Sequence, residues 1–401
     1  MNGMAQRYGR IMSAVYGKEG IRGKVVKVTR GARHLSLGVR LADPRRLDKA
    51  LSLAEPIALA CRVPAVIAQR SKDDPGLVTY QFQLPEHQWK DVTRSDLEGL
   101  GVGLSESRRQ IDFGFDPPHS GVFGTTGSGK SEATKGILTA LFSACSPTDL
   151  KAVIVDPNKK FTDLANCAHL AAPIGHDDLQ PLVWAGQELA RRIGEDQKDA
   201  PRLVVAIDEA EETLDEQAMA VVRSIAKRGR EYNVSLVLAT QDPKEGTLPG
   251  ILSQVNNRWV GQVANAQVSA WLTGHAGIEA HKLTGKGDFV HVAGPITERL
   301  QFALVRPQDL ERLPRVVEVP EPVVEPEDIP AVVNSYKGRR PVEIEPTKVA
   351  TYLYYGPENV SMAQAREHMG LRRVSHERHR EFARELQTAL GWLEENGGRW
   401  D

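Results

Sequence analysis

The stretch at residues 124–131, GTTGSGKS, constrains the fold more than any other part of this chain. It fits the pattern G-x-x-x-x-G-K-[ST], in which glycines let the backbone curl so that its amides point at one anion. The apolar stretch GVF precedes it and a helical pattern follows it. A strand, a glycine-rich loop and the positive end of a helix form a phosphate site. We therefore predict an α/β fold that binds a nucleotide at this loop.

Each residue type in this loop has a chemical task. We expect Lys130 to reach the β- and γ-phosphates of ATP and the Ser131 hydroxyl to bind Mg²⁺. The alternative is an ordinary Gly/Ser-rich turn, which the strand and helix around the loop disfavour. The predicted nucleotide-binding residues are Gly124, Thr125, Thr126, Gly127, Ser128, Gly129, Lys130, Ser131 and Glu132.

A second cluster of polar residues follows the apolar stretch RLVVAID. A carboxylate at the end of a neighbouring strand can hold Mg²⁺, and the next carboxylate can polarise the attacking water. We assign Asp208 to the metal, together with Ser131, and Glu209 to general base catalysis. The alternative is the acidic first turn of a helix, where Asp and Glu are also favoured. Glu211 and Glu212 fit that alternative better, as solvated helix residues.

Composition adds few restrictions. The chain has 401 residues, of which 41% are apolar, and a formal net charge of −1. Cys61, Cys145 and Cys167 are far apart, which is typical of reduced thiols and of neither a disulfide framework nor a zinc site. No run of about 18 apolar residues occurs, and the first residues lack a signal-peptide core. We expect a cytoplasmic protein with no membrane segment.

The apolar patterns divide the chain into five parts. We predict a flexible arm, a small α+β domain, an α/β motor domain, a Pro/Glu-rich linker and a helical, helix-turn-helix-like domain, at residues 1–20, 21–110, 111–315, 316–346 and 347–401. In the motor domain, six apolar strands alternate with helical stretches, at 120–124, 151–156, 202–208, 234–240, 258–263 and 288–292. Such alternation predicts a parallel sheet covered by helices on both faces.

Several stretches resemble one family when they are taken together. FGTTGSGKS, AVIVDPNKKFTDLA, LVVAIDEAEE, AKRGREYNVSLVLATQDP, VNNRWVGQV and KLTGKGDFVHV follow the order and style of the FtsK/SpoIIIE family of double-stranded DNA translocases. That family belongs to the FtsK–HerA group of hexameric RecA-like ATPases. The resemblance covers residues 110–305. It implies a RecA-like P-loop NTPase motor that forms a homohexameric ring and hydrolyses ATP with Mg²⁺ to move DNA.

The same resemblance assigns further catalytic residues. Arg230 stands where the family has an arginine finger that enters the neighbouring subunit's site. Its alternative role is in a solvated basic helix face, and Arg228 is its nearest competitor. Arg258 matches a recurrent family arginine and is a second candidate to act on the neighbour. Gln241, at the end of a strand, matches a residue that senses the γ-phosphate or aligns water.

The family contacts DNA with loops that project into the pore of the ring. One such loop follows Gln241, where many relatives have an arginine; this chain has Asp242, so we expect Lys244 to contact phosphate instead. Lys286 in the Gly-Lys-Gly loop and Arg299 in the stretch AGPITER, taken as a turn, are the other DNA candidates. The alternative for these two is a hairpin turn without DNA contact.

The last part of the chain and the lack of a membrane segment leave alternatives open. The family often ends in a small winged-helix module, and residues 347–401 have a similar size and place, so they could bind DNA or a protein partner. A plasmid, phage or mobile-element motor is the leading expectation. A viral genome-packaging or conjugative coupling ATPase of the same group is the alternative. A nucleotide-switched scaffold and a small-molecule kinase are less favoured.

Overall fold

The computed structural model describes residues 3–316, except positions 72, 73, 75, 177, 215, 242–247, 249, 276 and 295 and the side chains at 212, 216 and 217. The chain divides into two units, Met1–Ser335 and Tyr336–Asp401, and the described residues all belong to the first. Lys244, nearly all of the expected linker and the expected helical domain at 347–401 therefore lie outside the described residues.

The chain begins with a helix, α1 (Gly3–Lys18). The flexible arm expected at 1–20 is therefore wrong for these residues. Tyr8, Met12 and Tyr16 recur every fourth residue and are buried, and burying side chains of this size contributes about 1.5–3 kcal/mol each. The Tyr8 ring stacks on Phe82 at 4.6 Å between ring centroids. The glycines at 3, 9 and 17 obscure this pattern in the sequence.

Helix α1 packs against a small antiparallel sheet. Its strands are β1 (Gly23–Arg30), β2 (His34–Leu41), β3 (Val66–Arg70) and β4 (Leu77–Gln83), in the order β1-β2-β4-β3. Two short helices, α2 (Leu47–Ser52) and α3 (Ala54–Cys61), connect β2 to β3. Asp43 accepts a hydrogen bond from the Arg45 amide and so caps the turn that precedes α2.

A larger sheet follows in the chain. Within the described residues it has nine strands, β5 (Gly101–Ser105), β6 (Gln110–Asp112), β7 (Ser120–Phe123), β8 (Leu150–Val155), β9 (Arg202–Ile207), β10 (Val234–Thr240), β11 (Asn257–Val260), β12 (Asp288–Ala293) and β13 (Ile296–Phe302). Their order is β6-β5-β13-β12-β11-β7-β10-β9-β8. Strands β5 and β6 lie in this sheet, so it takes in residues from before position 111, where we expected the motor domain to begin.

The strand directions confirm part of the predicted pattern. Strands β11, β7, β10, β9 and β8 are mutually parallel. Strand β12 is antiparallel to β11, and it also forms an antiparallel hairpin with β13 through a connection of two residues. The parallel prediction is therefore wrong for 288–292. The stretch AGPITER is also not simply a turn, since Ile296–Phe302 is a strand.

Helices cover both faces of the parallel strands. They are α4 (Lys130–Ala144), α5 (Gln180–Gly194), α6 (Ala210–Thr213), α7 (Glu216–Arg228), α8 (Ala266–Thr273) and α9 (Pro307–Glu311). Leu182 and Ile225, from α5 and α7, belong to the same buried cluster as Val153 of β8. Ile137 of α4 belongs to the cluster that contains Ile154. Neighbouring strand residues thus point to opposite helix layers, which confirms the predicted α/β class.

Among the helices of the described part of the chain, none has both the length and the apolar character needed to cross a bilayer.

Candidate active site

The phosphate loop connects the end of β7 to the start of α4. Gly127 and Gly129 have φ angles of +83° and +97°, a region that other residues rarely adopt. The Thr125 amide donates a hydrogen bond to the carbonyl of Gln262 at 2.8 Å, which fixes the loop to the chain after β11. Because α4 begins at Lys130, its first amides face the loop and offer donors to an anion.

Lys130 and Glu132 occupy different surroundings at the start of α4. The side chain of Lys130 is 5% exposed, and its ammonium lies 4.0 Å from Glu209 Oε1. Burial lowers the pKa of Lys130, and the charges of Glu209 and Asp208 oppose this shift. A buried ammonium at this place gains charge partners when a triphosphate binds. Glu132 is exposed in the first turn of α4.

The acidic pair follows β9 directly. The Asp208 side chain is fully buried, and its Oδ2 accepts a hydrogen bond from the Ser131 hydroxyl at 3.2 Å. Burial raises the pKa of Asp208, and the positive charge of Lys160 opposes this rise. Glu209 has a φ of +48°, a strained conformation that is common at functional sites. The strained turn directs both carboxylates toward the phosphate loop.

These residues fit a bound Mg²⁺. Oδ1 of Asp208 and Oε2 of Glu209 are buried and have no hydrogen-bond partner among the described residues. Carboxylate and hydroxyl oxygens are the ligands that Mg²⁺ prefers. Asp208 and Ser131 lie within hydrogen-bond distance of each other, as two ligands of one ion require.

Gln241 ties the loop to the acidic pair. Its side-chain amide donates to Glu209 Oε1 at 2.8 Å, and its side-chain carbonyl accepts from the Thr126 hydroxyl at 2.7 Å. Its backbone amide donates to Glu211 Oε1 at 2.6 Å. The expectation that Glu211 is only a solvated helix residue is therefore wrong. Gln241 contacts both partners of the site, as a sensor of the γ-phosphate requires.

Sequence reasoning missed one residue of this site, Lys160. Its ammonium lies 3.0 Å from Ser131 Oγ, 3.2 Å from Asp208 Oδ2 and 3.5 Å from Glu209 Oε1. Burial lowers its pKa, but the charges of Asp208 and Glu209 outweigh burial and the pKa is raised. A signal existed, because DPNKK follows β8 at the edge of the sheet where the phosphate loop lies.

The loop at residues 285–287 supports the phosphate loop. The amides of Lys286 and Gly287 donate to the carbonyls of Gly127 and Ser128 at 3.0 and 2.8 Å. The Lys286 ammonium is exposed and donates to Glu86 Oε1 at 3.2 Å. The backbone at 285–287 therefore forms a turn, as the alternative interpretation of Gly-Lys-Gly expected. This turn stabilises the phosphate loop through the two hydrogen bonds.

The small sheet reaches the same loop. Arg33, in the turn between β1 and β2, donates to the Gly285 carbonyl at 2.9 Å. Its guanidinium also lies 4.6 Å from the centre of the Trp89 ring. Residues before the motor sheet thus contact the turn that holds the phosphate loop, and the two parts are mechanically connected.

Arg258 and Arg299 have partners within their own chain. The Arg258 guanidinium donates to the carbonyls of Leu252, Val255 and Leu272 at 3.3, 2.8 and 3.1 Å. These contacts hold the fold around β11 together, and the action of Arg258 on a neighbouring subunit stays a prediction. The Arg299 guanidinium is buried and donates twice to Asp288, at 2.9 and 2.7 Å. The expected DNA contact of Arg299 is wrong, because this group is a buried ion-pair partner.

Arg230 lies far from the phosphate loop of its own chain. It belongs to the turn Gly229–Tyr232, which precedes β10. The phosphate loop follows β7, and β7 and β10 are parallel neighbours, so the turn and the loop lie at opposite ends of the sheet. The Arg230 side chain is 73% exposed, and its guanidinium lies 3.7 Å from the exposed carboxylate of Asp116.

The fold and the site define a P-loop ATPase with a RecA-like motor domain, because the phosphate loop, the acidic end of β9 and Gln241 meet at one edge of a parallel sheet. Residues 84–259 match the model of the FtsK/SpoIIIE family. This match confirms, for that part of the chain, the resemblance to the family seen in the sequence.

Two curated relatives carry the description DNA translocase FtsK. The protein of Staphylococcus epidermidis is 26% identical over 354 residues, which cover 76% of this chain and 44% of the relative. That of Oceanobacillus iheyensis is 26% identical over 403 residues, with 89% and 51% covered. The chain thus spans about half the length of these relatives.

Two solved structures are similar to the chain. The pCW3 conjugation coupling protein TcpA with ATPγS is 16% identical, with 76% of this chain and 99% of that chain covered and a TM-score of 0.47. EssC (ATPases 2 and 3) from Geobacillus thermodenitrificans is 18% identical, with 64% and 58% covered and a TM-score of 0.48.

Proposed function

We propose that this chain is an ATP-driven motor that moves double-stranded DNA through the pore of a homohexameric ring. The observation that carries the proposal is the position of Arg230, exposed at the end of the sheet opposite the phosphate loop. An arginine there can complete only the site of a neighbouring subunit. Hydrolysis in such a ring depends on contact between subunits, as a motor with coordinated steps requires.

Each subunit supplies most of the chemistry itself. Lys130 neutralises charge on the β- and γ-phosphates, and Glu209 polarises the attacking water. Gln241 links Glu209 to Thr126 and so joins the water to the loop around the γ-phosphate. Mg²⁺, held by Ser131 and Asp208, would neutralise phosphate charge. Arg230 of the next subunit stabilises the charge that develops during transfer, an effect of about 10³–10⁵ in rate.

Duplex DNA is the proposed substrate of the motor, and the relatives described as DNA translocases support it. We propose that Lys244 and Lys286 contact its phosphates, a kind of contact that is independent of base sequence. A net charge of −1 is compatible with this role, because basic residues need to line only one channel. We propose that residues 347–401 bind DNA or a protein partner.

Mixing two inactive variants tests the shared site. Lys130→Ala removes the subunit's own half of the site, and Arg230→Ala removes the half given to the neighbour. We expect each variant alone to lose ATPase activity and a mixture to regain a fraction of it, because an Arg230→Ala subunit beside a Lys130→Ala subunit has one complete site. Arg228→Ala is the matched control and should keep its activity. A mixture with no activity would count against Arg230 as the shared residue.

A triplex-displacement assay tests the motor function. Wild-type protein with ATP, Mg²⁺ and linear duplex DNA should displace a third strand, and Glu209→Gln should not. Duplex DNA should also stimulate ATP hydrolysis. ATPase activity without displacement, or displacement that requires a capsid or secretion partner, would favour the packaging or coupling alternative. ATPase activity insensitive to DNA would favour the scaffold alternative.

A further inference from the structure

The loop that follows β8 brings a second cation into the acidic site. The ammonium of Lys160 lies within 3.5 Å of oxygen atoms of Ser131, Asp208 and Glu209. Ser131 and Asp208 are the residues that fit Mg²⁺, and Glu209 is the proposed base. One positive charge therefore stands at the position that a divalent ion would take between these oxygens.

The surrounding charges explain why a cation is needed there. The side chains of Asp208 and Glu209 are 0% and 4% exposed, and buried carboxylates are unfavourable unless they are paired. Lys130 is the other nearby cation, but its ammonium is 4.0 Å from Glu209 and belongs to the phosphate loop. The Lys160 side chain is 37% exposed, and its long stem can swing into solvent. The Lys160 ammonium thus neutralises negative charge on Asp208 and Glu209, and its side chain can move from the site into solvent.

The backbone of the loop determines where Lys160 can reach. The Asp156 carboxylate accepts a hydrogen bond from the Phe161 amide at 2.7 Å, and the Phe161 side chain is fully buried. Lys159 has a φ of +56°, so the chain turns sharply before Lys160. These contacts hold the Cα of Lys160 beside the site. A change of side-chain rotamer is therefore enough to bring the ammonium to Asp208 and Glu209 or to move it into solvent.

We propose that Lys160 is a tethered cation that holds the metal position of the nucleotide-free site and yields it when Mg²⁺ arrives with the nucleotide. This proposal rests on the proposed ATPase function, in which the site binds Mg²⁺ together with ATP. Mg²⁺ alone then competes poorly with the lysine. After hydrolysis, the returning ammonium replaces the metal on Asp208 and promotes release of Mg²⁺ and ADP.

Binding of Mn²⁺ without nucleotide, followed by electron paramagnetic resonance on the full chain, tests the proposal. Lys160→Met should bind Mn²⁺ at least about tenfold more tightly than wild type, because the competing charge is gone and one nearby charge changes a carboxylate's affinity for a cation by that amount. Lys160→Arg should behave like wild type. Lys159→Met, a neighbouring exposed lysine, is the matched control and should also be unchanged.

Thermal unfolding with and without Mg²⁺ gives a second readout, because the loss of a merely structural contact would not be restored by the metal. Without metal, Lys160→Met should melt at a lower temperature than wild type, and millimolar Mg²⁺ should restore much of the loss. Wild type and Lys159→Met should respond little to Mg²⁺. If the Mn²⁺ affinity of Lys160→Met equals that of wild type, the proposal is overturned.

A further variant covers the case in which Lys160→Met does not fold without metal. Glu209→Gln removes one of the two carboxylates, so the double variant Lys160→Met/Glu209→Gln has less uncompensated charge. It should still bind Mn²⁺ more tightly than Glu209→Gln alone, and equal affinity would overturn the proposal. None of these measurements uses hydrolysis or DNA. If the chain proved not to be an ATPase, the expected Mn²⁺ affinities and melting temperatures would stay the same. If those measurements contradicted the role of Lys160, the proposed ATPase function would not be affected.

Discussion

A hydrogen bond of 2.8 Å joins the side-chain amide of Gln241 to the carboxylate of Glu209. The same side chain accepts a hydrogen bond from Thr126 in the phosphate loop at 2.7 Å. Gln241 therefore holds Glu209, the proposed base, in one orientation. Because the same side chain bonds Thr126, a movement of the phosphate loop would also move Glu209. Gln241 directly precedes residues 242–247, the segment that contains Lys244, the residue proposed to contact DNA.

Gln241→Ala should lower ATP turnover by about tenfold or more while nucleotide affinity changes little. The lost hydrogen bond goes to a charged group, and such bonds contribute about 1.5–3 kcal/mol. Steady-state ATPase assays and titration with a fluorescent ATP analogue measure the two effects. Gln254→Ala, at an exposed glutamine, is the matched control. Loss of nucleotide affinity equal to the loss of turnover would point to a role in binding instead.

Glu209→Gln should keep nucleotide binding and abolish turnover, because an amide retains the shape of the carboxylate but cannot polarise water as a base. Nucleotide affinity is measured by equilibrium titration and turnover by phosphate release. Glu195→Gln, an exposed carboxylate at the end of α5, serves as control. Near-normal turnover in Glu209→Gln would remove this residue from the mechanism.

Gly285→Ala should weaken ATP binding through the phosphate loop. Gly285 has a φ of +68°, and an added Cβ would lie 3.0 Å from the Gly127 carbonyl oxygen. Gly294→Ala is the matched control, since its φ is +56° but a Cβ there meets nothing within 4 Å. Both variants carry a backbone cost of about 1–2 kcal/mol. Only Gly285→Ala should raise the Kd for ATP, and equal effects would show that the contact is unimportant.

Arg258→Ala should destabilise the fold by about 2–4 kcal/mol, because carbonyls of Leu252, Val255 and Leu272 lose their donor. Chemical denaturation measures the change in the free energy of unfolding. Arg228→Ala, at an exposed position, should change it by less than about 0.5 kcal/mol. A fully stable Arg258→Ala protein that has lost its ATPase activity would instead support action on a neighbouring subunit.

Stability should fall as the pH is lowered from about 6.5 to 4. Burial lowers the pKa of His119 to about 4, and its Nδ1 accepts a hydrogen bond from the Leu236 amide. The unfolded chain then binds more protons than the folded one across this window, so acid favours unfolding, by up to about 3 kcal/mol for this residue. His291 and His34 act in the same direction, with pKa values lowered by burial to about 4 and about 3.

Glu106 opposes this trend, because burial raises its pKa to about 7 and its contribution to stability falls as pH rises from about 4.5 to 7. Three histidines outweigh this one carboxyl group. Thermal melting between pH 4 and 8 measures the net slope. His119→Asn keeps an acceptor for the Leu236 amide but does not titrate, and should give a flatter profile. An unchanged profile in this variant would exclude His119 as a source of the acid sensitivity.

The central strands and the core of the site could be predicted because each follows a local rule. Strands β7, β8, β9 and β10 are continuous apolar runs, and a strand buried on both faces requires such a run. The phosphate loop, Asp208 and Gln241 each come directly after one of them. Parallel strands bring their ends together, so positions far apart in sequence could be placed at one edge.

Other features had a weak local signal or none, because they depend on contacts between distant parts of the chain. Strand β13 follows Gly294-Pro295, a pair typical of turns, and its pairing with β12 makes Ile296–Phe302 a strand. Lys160 gains its role from Asp208, 48 positions later in the chain. In both cases the partner lies elsewhere in the chain, so the residues next to β13 or Lys160 in the sequence do not identify it.

Local sequence was enough to predict that a phosphate loop and an acidic pair meet on an α/β sheet, because glycine positions and strand ends dictate that geometry. The cations that can act at this site became known from the folded structure alone. Arg258 and Arg299 are bound within their own chain, Arg230 is exposed at the far end of the sheet, and Lys160 lies among the acidic oxygens. A charged side chain takes its role from the partners that folding brings within a few ångströms, and long-range contacts choose those partners.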